Sequence, residues 1–428
     1  MSVHSALAGA IAPSRAAIQH RFAGIRRHSL ALAAPLSAED QCVQPMPDAS
    51  PTKWHLAHTS WFFEAVVLGE YAVGYAPFDR RFFHLFNSYY ESLGPRHPRP
   101  QRGLLTRPSL DEVHRYRAHV DHAMAAFIET APDEAWRAAA PLIELGLNHE
   151  QQHQELILTD ILYTLSCNPL LPAYRQAETA PLRLASAPLR ANWVSHEGGV
   201  VAIGHDGSAA GPFAFDNETP RHSALLAPHR IADRLVTCGE FAEFVADGGY
   251  ERAVLWLSDG WATLQAQGWK HPIYWIAPDD PCAPSSHWQV FGLNGVKPLD
   301  PQAPAMNLSF YEAAAYAEWA GARLPTEFEW EAAQDTPAKN NAMNNVMHDM
   351  TGQCWQWTRS SYDPYPGFKP LAGAVGEYNG KFMVGQIVLR GSSIATPAGH
   401  ERKTYRNFFP PAARWQFSGV RLAKDGAC

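Results

Sequence analysis

Two histidines interrupt the apolar side of a long helical pattern in the first half of the chain. The residues that recur at helical spacing on this side are Leu142, Leu145, His149, His153 and Leu156. His149 and His153 are four residues apart, so their imidazoles project from one face of a helix and can share a metal ion. A buried imidazole without a partner costs free energy. The spacing leaves two interpretations open, a metal site or a pair of hydrogen-bonded core histidines.

A third imidazole for such a site can come from a segment that begins at Ser50. Ser50 suits a helix N-cap and Pro51 the first helical position, so we predict that an amphipathic helix starts here. His55 and His58 lie three residues apart in this helix, and the spacing does not choose between them. Each of the two can also be a surface or capping histidine.

Length and composition exclude several classes of protein. The chain has 428 residues, enough for two or more domains, and its 46% hydrophobic and 18% charged residues are typical of a soluble globular protein. A formal net charge of −7 gives no reason to expect nucleic acid or an anionic membrane as partner. The six cysteines are scattered without a CxxC pair, which favours a reducing cytoplasm over a disulfide scaffold or zinc ribbon. None of these features predicts an oligomeric state.

The character of the sequence changes near residue 168. Long helical patterns come before it, at roughly 13–32, 51–68, 110–130 and 135–165. A stretch rich in Ala, Pro and Arg follows, and beyond it short apolar runs alternate with Gly, Pro and Asp, with clear helices only at 238–247 and 309–320. We therefore predict a multi-domain chain: an all-α metal-binding bundle over 1–167, a linker over 168–191 and an irregular α+β domain over 192–428.

Five phrases of the second half resemble the formylglycine-generating-enzyme family, a variant of the C-type-lectin-like fold. In order they are GARLPTEFEWE (321–331), MTGQCWQWT (350–358), VLRGSS (388–393), YRN (405–407) and FSGVRL (417–422). The oxidases of that family use a reactive cysteine pair late in the domain, whereas Cys354 and Cys428 here lie outside that context. The resemblance therefore implies a scaffold and a substrate wall rather than the oxidase itself.

The first half resembles a DinB-like four-helix bundle with a three-histidine metal site, and the order of the two domains resembles the ergothioneine-pathway sulfoxide synthases. Leu56-Ala57-His58 and the His149–His153 phrase match the ligand phrases of that family, so the resemblance selects His58 over His55. It implies that His58, His149 and His153 bind Fe(II). The implied reaction joins a thiol sulfur to C2 of the imidazole of hercynine (Nα-trimethylhistidine) and oxidises that sulfur to a sulfoxide with O2.

The resemblance also implies roles for a glutamine and a tyrosine pair. Gln152 matches a family glutamine that hydrogen-bonds the substrate imidazole, although a glutamine at this position can also face solvent. Many members carry a catalytic tyrosine just before the V-L-R-G phrase, where this chain has Gln386. A second branch has a tyrosine pair in the bundle, and Tyr89-Tyr90 resemble it. At least one of the two is then a proton donor in sulfoxidation; the alternative is an aromatic pair that packs between helices.

The residues implied in substrate binding lie in two places. Arg96 and Arg99 belong to a basic loop, and arginine forks suit the carboxylates of amino-acid substrates. Asn407 matches a family asparagine near the hercynine carboxylate. Phe409 stands where members that use a dipeptide thiol carry an aspartate. Loss of that acid removes a partner for the amino group of γ-glutamylcysteine, so cysteine is the expected thiol and γ-glutamylcysteine the second possibility.

Three other functions stay open at this point. A DinB-like thiol S-transferase has the same three histidines and a divalent metal, but the second domain and the Tyr89-Tyr90 phrase argue against it. An ovothiol-pathway sulfoxide synthase would act on histidine, and such chains commonly carry a methyltransferase domain as well. A non-enzymatic lectin-like binding module would keep its function after chelation of the metal.

Overall fold

The computed structural model describes residues 14–175, 191–208, 211–278, 280–281, 283–335 and 347–426. The chain divides into two compact units. The first consists of residues 1–167, 207–215 and 370–378, and the second of residues 168–206, 216–369 and 379–428. Two short segments of the predicted second domain therefore belong to the same compact unit as the helical bundle. Most of the predicted linker and Cys428 lie outside the described residues.

The first unit is a bundle of long helices, as the periodicity predicts. Its helices are α1 (Arg15–Ala33), α2 (Thr52–Phe62), α3 (Gly69–Tyr71), α4 (Phe82–Leu85), α5 (Leu110–Thr130) and α6 (Asp133–Ser166). A π-helical segment, Phe63–Leu68, joins α2 to α3. Helix α1 packs against α6, and α2 packs against both α5 and α6. Both α1 and α5 begin with a serine whose hydroxyl accepts a hydrogen bond from a backbone N–H of the first turn.

The predicted N-cap of α2 is wrong. The helix begins at Thr52 and Pro51 occupies the cap position, without a side-chain hydrogen bond. The Ser50 hydroxyl instead accepts a hydrogen bond of 2.9 Å from Arg102, and the Ser50 N–H donates to Asp160 at 2.8 Å. Residues distant in sequence therefore satisfy the polar groups of the serine that the local pattern assigns to the helix N-cap.

The second unit is an irregular α+β domain with short strands. Its helices are α7 (Cys238–Ala246), α8 (Ser258–Gln267), α9 (Phe310–Trp319) and α10 (Glu327–Ala333). Its strands are β1 (Trp193–His196), β2 (Gly199–Ile203), β3 (His222–Leu226), β4 (His229–Ala232), β5 (Trp275–Ile276), β6 (Gln289–Gly292), β7 (Gly295–Pro298), β8 (Trp355–Ser361), β9 (Ile387–Arg390), β10 (Asn407–Phe409), β11 (Ser418–Gly419) and β12 (Ala423–Asp425). The sheets have the orders β1-β4-β12, β10-β9-β8-β11, β2-β3 and β5-β6-β7, and β11 pairs with β8 in parallel.

The two helices predicted in the second half are confirmed as α7 and α9. Each begins with a capping box, in which Thr237 and Glu240, or Ser309 and Glu312, satisfy each other's backbone N–H groups. No helix in the described ranges is both long enough and apolar enough to cross a bilayer.

Residues of the phrases that carry the resemblance in the second half form hydrogen bonds with one another inside this unit. Arg406 donates to Glu327 at 2.9 Å, and Arg421 donates to Gln356 at 2.8 Å. Cys354 is fully buried, and burial raises the pKa of its thiol to about 12. A thiol with such a pKa is not a reactive nucleophile at neutral pH.

Candidate metal centre

Three buried histidines of the first unit converge, one from α2 and two from α6. His58, His149 and His153 each offer a ring nitrogen within 4.8 Å of the other two, and all three side chains are buried. The Nε2 atoms of His58 and His149 lie 3.2 Å apart. This group is the one set of three or more His, Cys, Asp or Glu side chains in the described ranges with ligand atoms so close. The predicted convergence of the three histidines is therefore confirmed.

The outer ring nitrogens of two of these histidines are held by hydrogen bonds. His58 Nδ1 lies 2.6 Å from the Phe86 carbonyl oxygen, which can only accept, so the proton is on Nδ1 and Nε2 carries the lone pair. His153 Nδ1 lies 2.8 Å from His55 Nδ1, and His55 Nε2 lies 3.1 Å from the Asp160 carboxylate. If His55 donates a hydrogen bond to Asp160 through Nε2, its Nδ1 can accept one from the Nδ1–H of His153. The lone pair of His153 is then on Nε2. Such partners orient metal ligands and fix their tautomers.

Burial keeps these imidazoles neutral. It lowers the pKa of His58 and of His153 well below the ordinary value, and the neighbouring His149 adds to the effect in both cases. Burial lowers the pKa of His149 to about 3. At neutral pH each ring therefore offers a lone pair, which is the protonation state that metal binding requires.

The donor set fits a metal ion. Two neutral imidazoles can present facing nitrogens at 3.2 Å only with a proton or a cation between them. Imidazole nitrogens bound to one metal at about 2.1 Å lie about 3.0–3.4 Å apart for angles between a right angle and a tetrahedral one. The observed spacing falls in this range. Three neutral nitrogen ligands leave the charge of a divalent ion undiminished and suit iron, zinc or copper.

Glu150 lies between the two histidines of α6 in sequence but faces a different cluster. The phrase from His149 to His153 fits the H-E-x-x-H pattern of zinc proteases, in which the glutamate is the general base. Here Glu150 accepts hydrogen bonds from Arg26 at 3.0 Å and from Arg117. Although burial opposes ionisation, these two guanidinium groups hold the pKa of Glu150 at about 2. Glu150 is therefore a fixed anion of the bundle interior and not a base for protease chemistry.

A buried arginine that the sequence pattern did not single out lies beside the histidines. The Arg102 guanidinium lies 3.4 Å from the centre of the Trp54 ring, which stacks on the His58 ring at 4.6 Å. Its nitrogens donate to the hydroxyls of Ser50 and Ser88 at 2.9 Å. Burial lowers its pKa to about 9, although the charge of Asp160 acts in the opposite direction. No ion pair within the described residues includes this guanidinium.

The two arginines predicted from the same loop have other partners. Arg96 forms an ion pair of 2.7 Å with Glu91, and both side chains are exposed. Arg99 is exposed and donates to the backbone carbonyl of Asp48. The loop pattern gives no signal that separates these residues from Arg102, because only the fold determines which of them becomes buried.

The tyrosine pair and Gln152 lie in the same unit as the histidines. Tyr90 is fully buried, and its ring centre lies 5.5 Å from that of Trp61. Tyr89 is less buried, and its ring centre lies 6.5 Å from that of Tyr378. Tyr378 also donates a hydrogen bond to Gln152 and packs edge-on against His149, with ring centres 5.4 Å apart. The sequence reasoning missed Tyr378, which belongs to one of the two distant segments of this unit.

The remaining predicted site residues lie in the second unit, on β10. The side chain of Asn407 accepts a hydrogen bond of 2.9 Å from the Phe408 N–H. The ring of Phe409 lies 6.4 Å from that of Trp415, edge to face. The contacts of Asn407 and Phe409 with substrate stay predictions.

Comparisons with known proteins match both halves of the chain. Residues 21–157 match the family model of the DinB superfamily, and residues 185–345 and 334–426 match that of the sulfatase-modifying factor enzyme 1-like domain. The predicted fold class, a helical DinB domain followed by an α+β domain of the formylglycine-generating-enzyme type, is therefore confirmed.

Three curated relatives carry the name "Hercynine oxygenase". The protein of Mycolicibacterium thermoresistibile is 30% identical over 98% of this chain and 97% of its own length. That of Mycolicibacterium smegmatis is 32% identical over 66% of this chain and 71% of its own. The protein of Mycobacterium tuberculosis is 29% identical over 90% of this chain and 93% of its own.

Proposed function

We propose, from the premise that this enzyme belongs to the hercynine oxygenase family, that it is an Fe(II)- and O2-dependent sulfoxide synthase of ergothioneine biosynthesis. In this reaction the sulfur of a thiol is joined to C2 of the imidazole of hercynine and oxidised to a sulfoxide. The observation that carries the proposal is the buried centre of His58, His149 and His153. These residues coincide with the positions that the family phrases assign to the metal ligands.

The three histidines determine what the centre can do. Their neutral rings would hold Fe(II) through nitrogen atoms and leave positions open on one side. When bound, the metal promotes loss of the thiol proton and supplies the redox chemistry with O2. The protein's part is to place the sulfur next to the imidazole carbon, and such proximity can lower a barrier by on the order of 7–11 kcal/mol at best.

Arg102 is our candidate for binding a substrate carboxylate. A buried guanidinium without a carboxylate partner among the described residues is costly, and an anionic ligand would offset that cost. Amino-acid substrates bring such a carboxylate, and an arginine can bind it with two parallel hydrogen bonds. We propose Arg102 ahead of Arg96 and Arg99, whose side chains are exposed and have other partners.

Cysteine is the proposed thiol. The support is Phe409, which offers no charge for the amino group of γ-glutamylcysteine, so that dipeptide is the second candidate. On the other substrate, Gln152 would hydrogen-bond the imidazole of hercynine and Asn407 would lie near its carboxylate.

We further propose that the chain belongs to the branch with a tyrosine pair in the bundle, and that Tyr89 or Tyr90 supplies the proton that separates sulfoxide formation from oxidation of the thiol alone. The double change Tyr89→Phe and Tyr90→Phe keeps both rings and removes both hydroxyls. We expect it to retain iron and to divert oxygen toward oxidation of cysteine, as measured by mass spectrometry of the products. Undiminished hercynylcysteine sulfoxide from this variant would contradict the assignment.

The test of the overall function is an oxygen-electrode assay on protein loaded with Fe(II), combined with metal analysis and mass spectrometry. We expect oxygen uptake with cysteine and hercynine together, and a sulfoxide product that contains both. Replacing hercynine by histidine tests the ovothiol-type reaction, and γ-glutamylcysteine in place of cysteine tests the thiol preference. Turnover of the zinc-loaded protein without oxygen uptake would instead favour a thiol S-transferase.

A further inference from the structure

A short segment distant in sequence from the bundle is fastened beside the tyrosine pair. This segment, Pro370–Tyr378, belongs to the first unit. The carboxylate of Glu377 accepts hydrogen bonds of 3.0 Å from the backbone N–H groups of Glu91 and Ser92, and one of 2.6 Å from the Ser92 hydroxyl. These groups lie in the 3-10 turn that directly follows Tyr90. Three donors on one carboxylate fix the end of the segment at this place.

The fastening brings the next residue, Tyr378, to the metal centre. Its hydroxyl donates to the amide oxygen of Gln152, across 226 residues of sequence. Its ring meets the His149 ring at 86° with 5.4 Å between centres, and the Phe215 ring at 5.8 Å. Tyr378 therefore contacts one proposed metal ligand and the glutamine expected to bind substrate.

We propose that Tyr378 is a positioning residue that holds the amide of Gln152 in the orientation that binds the imidazole of the substrate. The proposal rests on the proposed function, since it takes hercynine as the ligand. A glutamine amide can present its oxygen or its nitrogen to a ligand, and a half-turn exchanges the two. The Tyr378 hydroxyl holds the oxygen in place by donating to it.

This orientation selects for a particular form of the imidazole. A neutral imidazole has one nitrogen with a lone pair and one with a proton. When the lone pair is directed to a metal, the N–H remains for a hydrogen bond. The Gln152 oxygen has two lone pairs, so it can accept from Tyr378 and from a substrate N–H together. Loss of the phenol removes one donor that favours this orientation, so the amide presents its oxygen to the substrate N–H less often and that hydrogen bond weakens.

The experiment is a calorimetric titration of hercynine, without oxygen, into Fe(II)-loaded wild type, Tyr378→Phe, Gln152→Ala and the double variant. We expect Tyr378→Phe to retain its metal and to bind hercynine roughly 3- to 10-fold more weakly, the value of one neutral hydrogen bond. In the Gln152→Ala background, Tyr378→Phe should cause no further loss, because the residue acts through the amide. Tyr71→Phe, at the end of α3, is the matched control and should bind as wild type does.

Glu377→Gln supplies a second variant that leaves the phenol and the amide unchanged. The glutamine amide can accept through its oxygen only, so at least one of the three hydrogen bonds is lost and the others become weaker. We therefore expect a loss of hercynine affinity in the same direction as for Tyr378→Phe, but smaller. Equal hercynine affinity in wild type and Tyr378→Phe overturns the proposal, and so do losses that add in the double variant. A metal-loaded wild type that binds no hercynine overturns the proposed function and this inference with it.

Discussion

The first unit buries two polar clusters side by side, and successive residues of α6 point into different ones. His149 belongs to the histidine cluster with His58 and His153, whereas Glu150 belongs to a charged cluster with Arg26 and Arg117. Both clusters are almost completely buried. In the charged cluster, both oxygens of Glu150 accept hydrogen bonds from the protein. In the histidine cluster, the Nε2 atoms of His58 and His149 lie 3.2 Å apart, a spacing that two nitrogen ligands of one metal ion also have. Burial alone therefore does not mark a functional site; the presence of ligand atoms directed at a shared point does.

Burial disfavours charge in both clusters, but one stays neutral and the other is charged. It lowers the pKa of His149 to about 3, since burial outweighs the opposing charge of Glu150, and the imidazole stays neutral. Burial also opposes the charge of Glu150, but Arg117 and Arg26 outweigh it and the pKa falls to about 2. The neutral histidine cluster can therefore bind a cation, whereas the negative charge of Glu150 is already balanced by the two arginines.

The largest expected effect is at the metal ligands. Changing His58, His149 or His153 to Ala removes one of three nitrogen donors, so we expect loss of both stoichiometric iron and turnover. Metal analysis after loading and dialysis is the measurement. His20→Ala, an exposed histidine of α1, is the control and should retain iron. A ligand variant that retained its full iron content would contradict the assignment of the histidine cluster, and not the charged one, as the metal site.

A change in the charged cluster should lower the stability of the protein. Glu150→Gln leaves Arg117 buried without its carboxylate partner and Arg26 with Asp121 alone. Breaking a buried pair in this way costs about 3–5 kcal/mol of unfolding free energy. Urea unfolding of the metal-free protein measures it. Glu144→Gln is the matched control on the same helix, since Glu144 pairs with the half-exposed Arg21, and such a pair is worth about 1 kcal/mol or less. A Glu150→Gln protein as stable as Glu144→Gln would contradict the structural role.

His55 separates support of a ligand from ligation itself. His55→Ala removes the hydrogen bond that orients His153 but leaves three imidazoles at the centre. We expect metal binding about 10- to 100-fold weaker than wild type, the usual cost of losing such a partner. A competitive chelator titration gives the affinity, and saturating metal should restore iron content. An equal loss in His55→Ala and His58→Ala would sink the assignment of the third ligand to His58.

Acidification should affect the two clusters in different pH ranges. The folded-state pKa of His149 lies below the ordinary 6.5, so the unfolded chain binds more protons and stability falls as the pH drops from 6.5 toward 3. For Glu150 the corresponding range lies between 4.5 and about 2. Urea unfolding of the metal-free protein between pH 7 and 5 should therefore show a slope of up to about 1.4 kcal/mol per pH unit for each neutral histidine. His149→Gln should reduce that slope, and Glu150→Gln should leave it unchanged in this range.

Local patterns predicted much of the helical half and little of the centre's surroundings. The periodicity placed the long helices, and Thr237 and Ser309 marked the starts of α7 and α9, because caps depend on neighbouring residues. The i, i+4 spacing joined His149 to His153. The choice of His58 over His55 needed the family phrase, since both side chains are buried beside His153. They differ in their contacts: His55 hydrogen-bonds Nδ1 of His153, whereas a ring nitrogen of His58 lies close to those of both His149 and His153.

The rest depends on contacts between distant segments. Tyr378 and Gln152 are 226 residues apart, and no local pattern links them. Arg102 differs from its neighbours in the basic loop only by being buried against Trp54. The prediction for Ser50 was wrong for the same reason, since Arg102 and Asp160 take up its polar groups.

The two ligands with tied outer nitrogens differ in how they can change in evolution. His58 is held by the backbone carbonyl of Phe86, which every amino acid at that position would still provide. His153 is held by the side chain of His55, which Asp160 holds in turn, and both of these residues can be replaced by mutation. Mutational drift can therefore alter the donor strength of one ligand while the other stays constant. Laboratory selection for a changed metal preference or redox potential should accumulate substitutions at positions 55 and 160, and not at position 86.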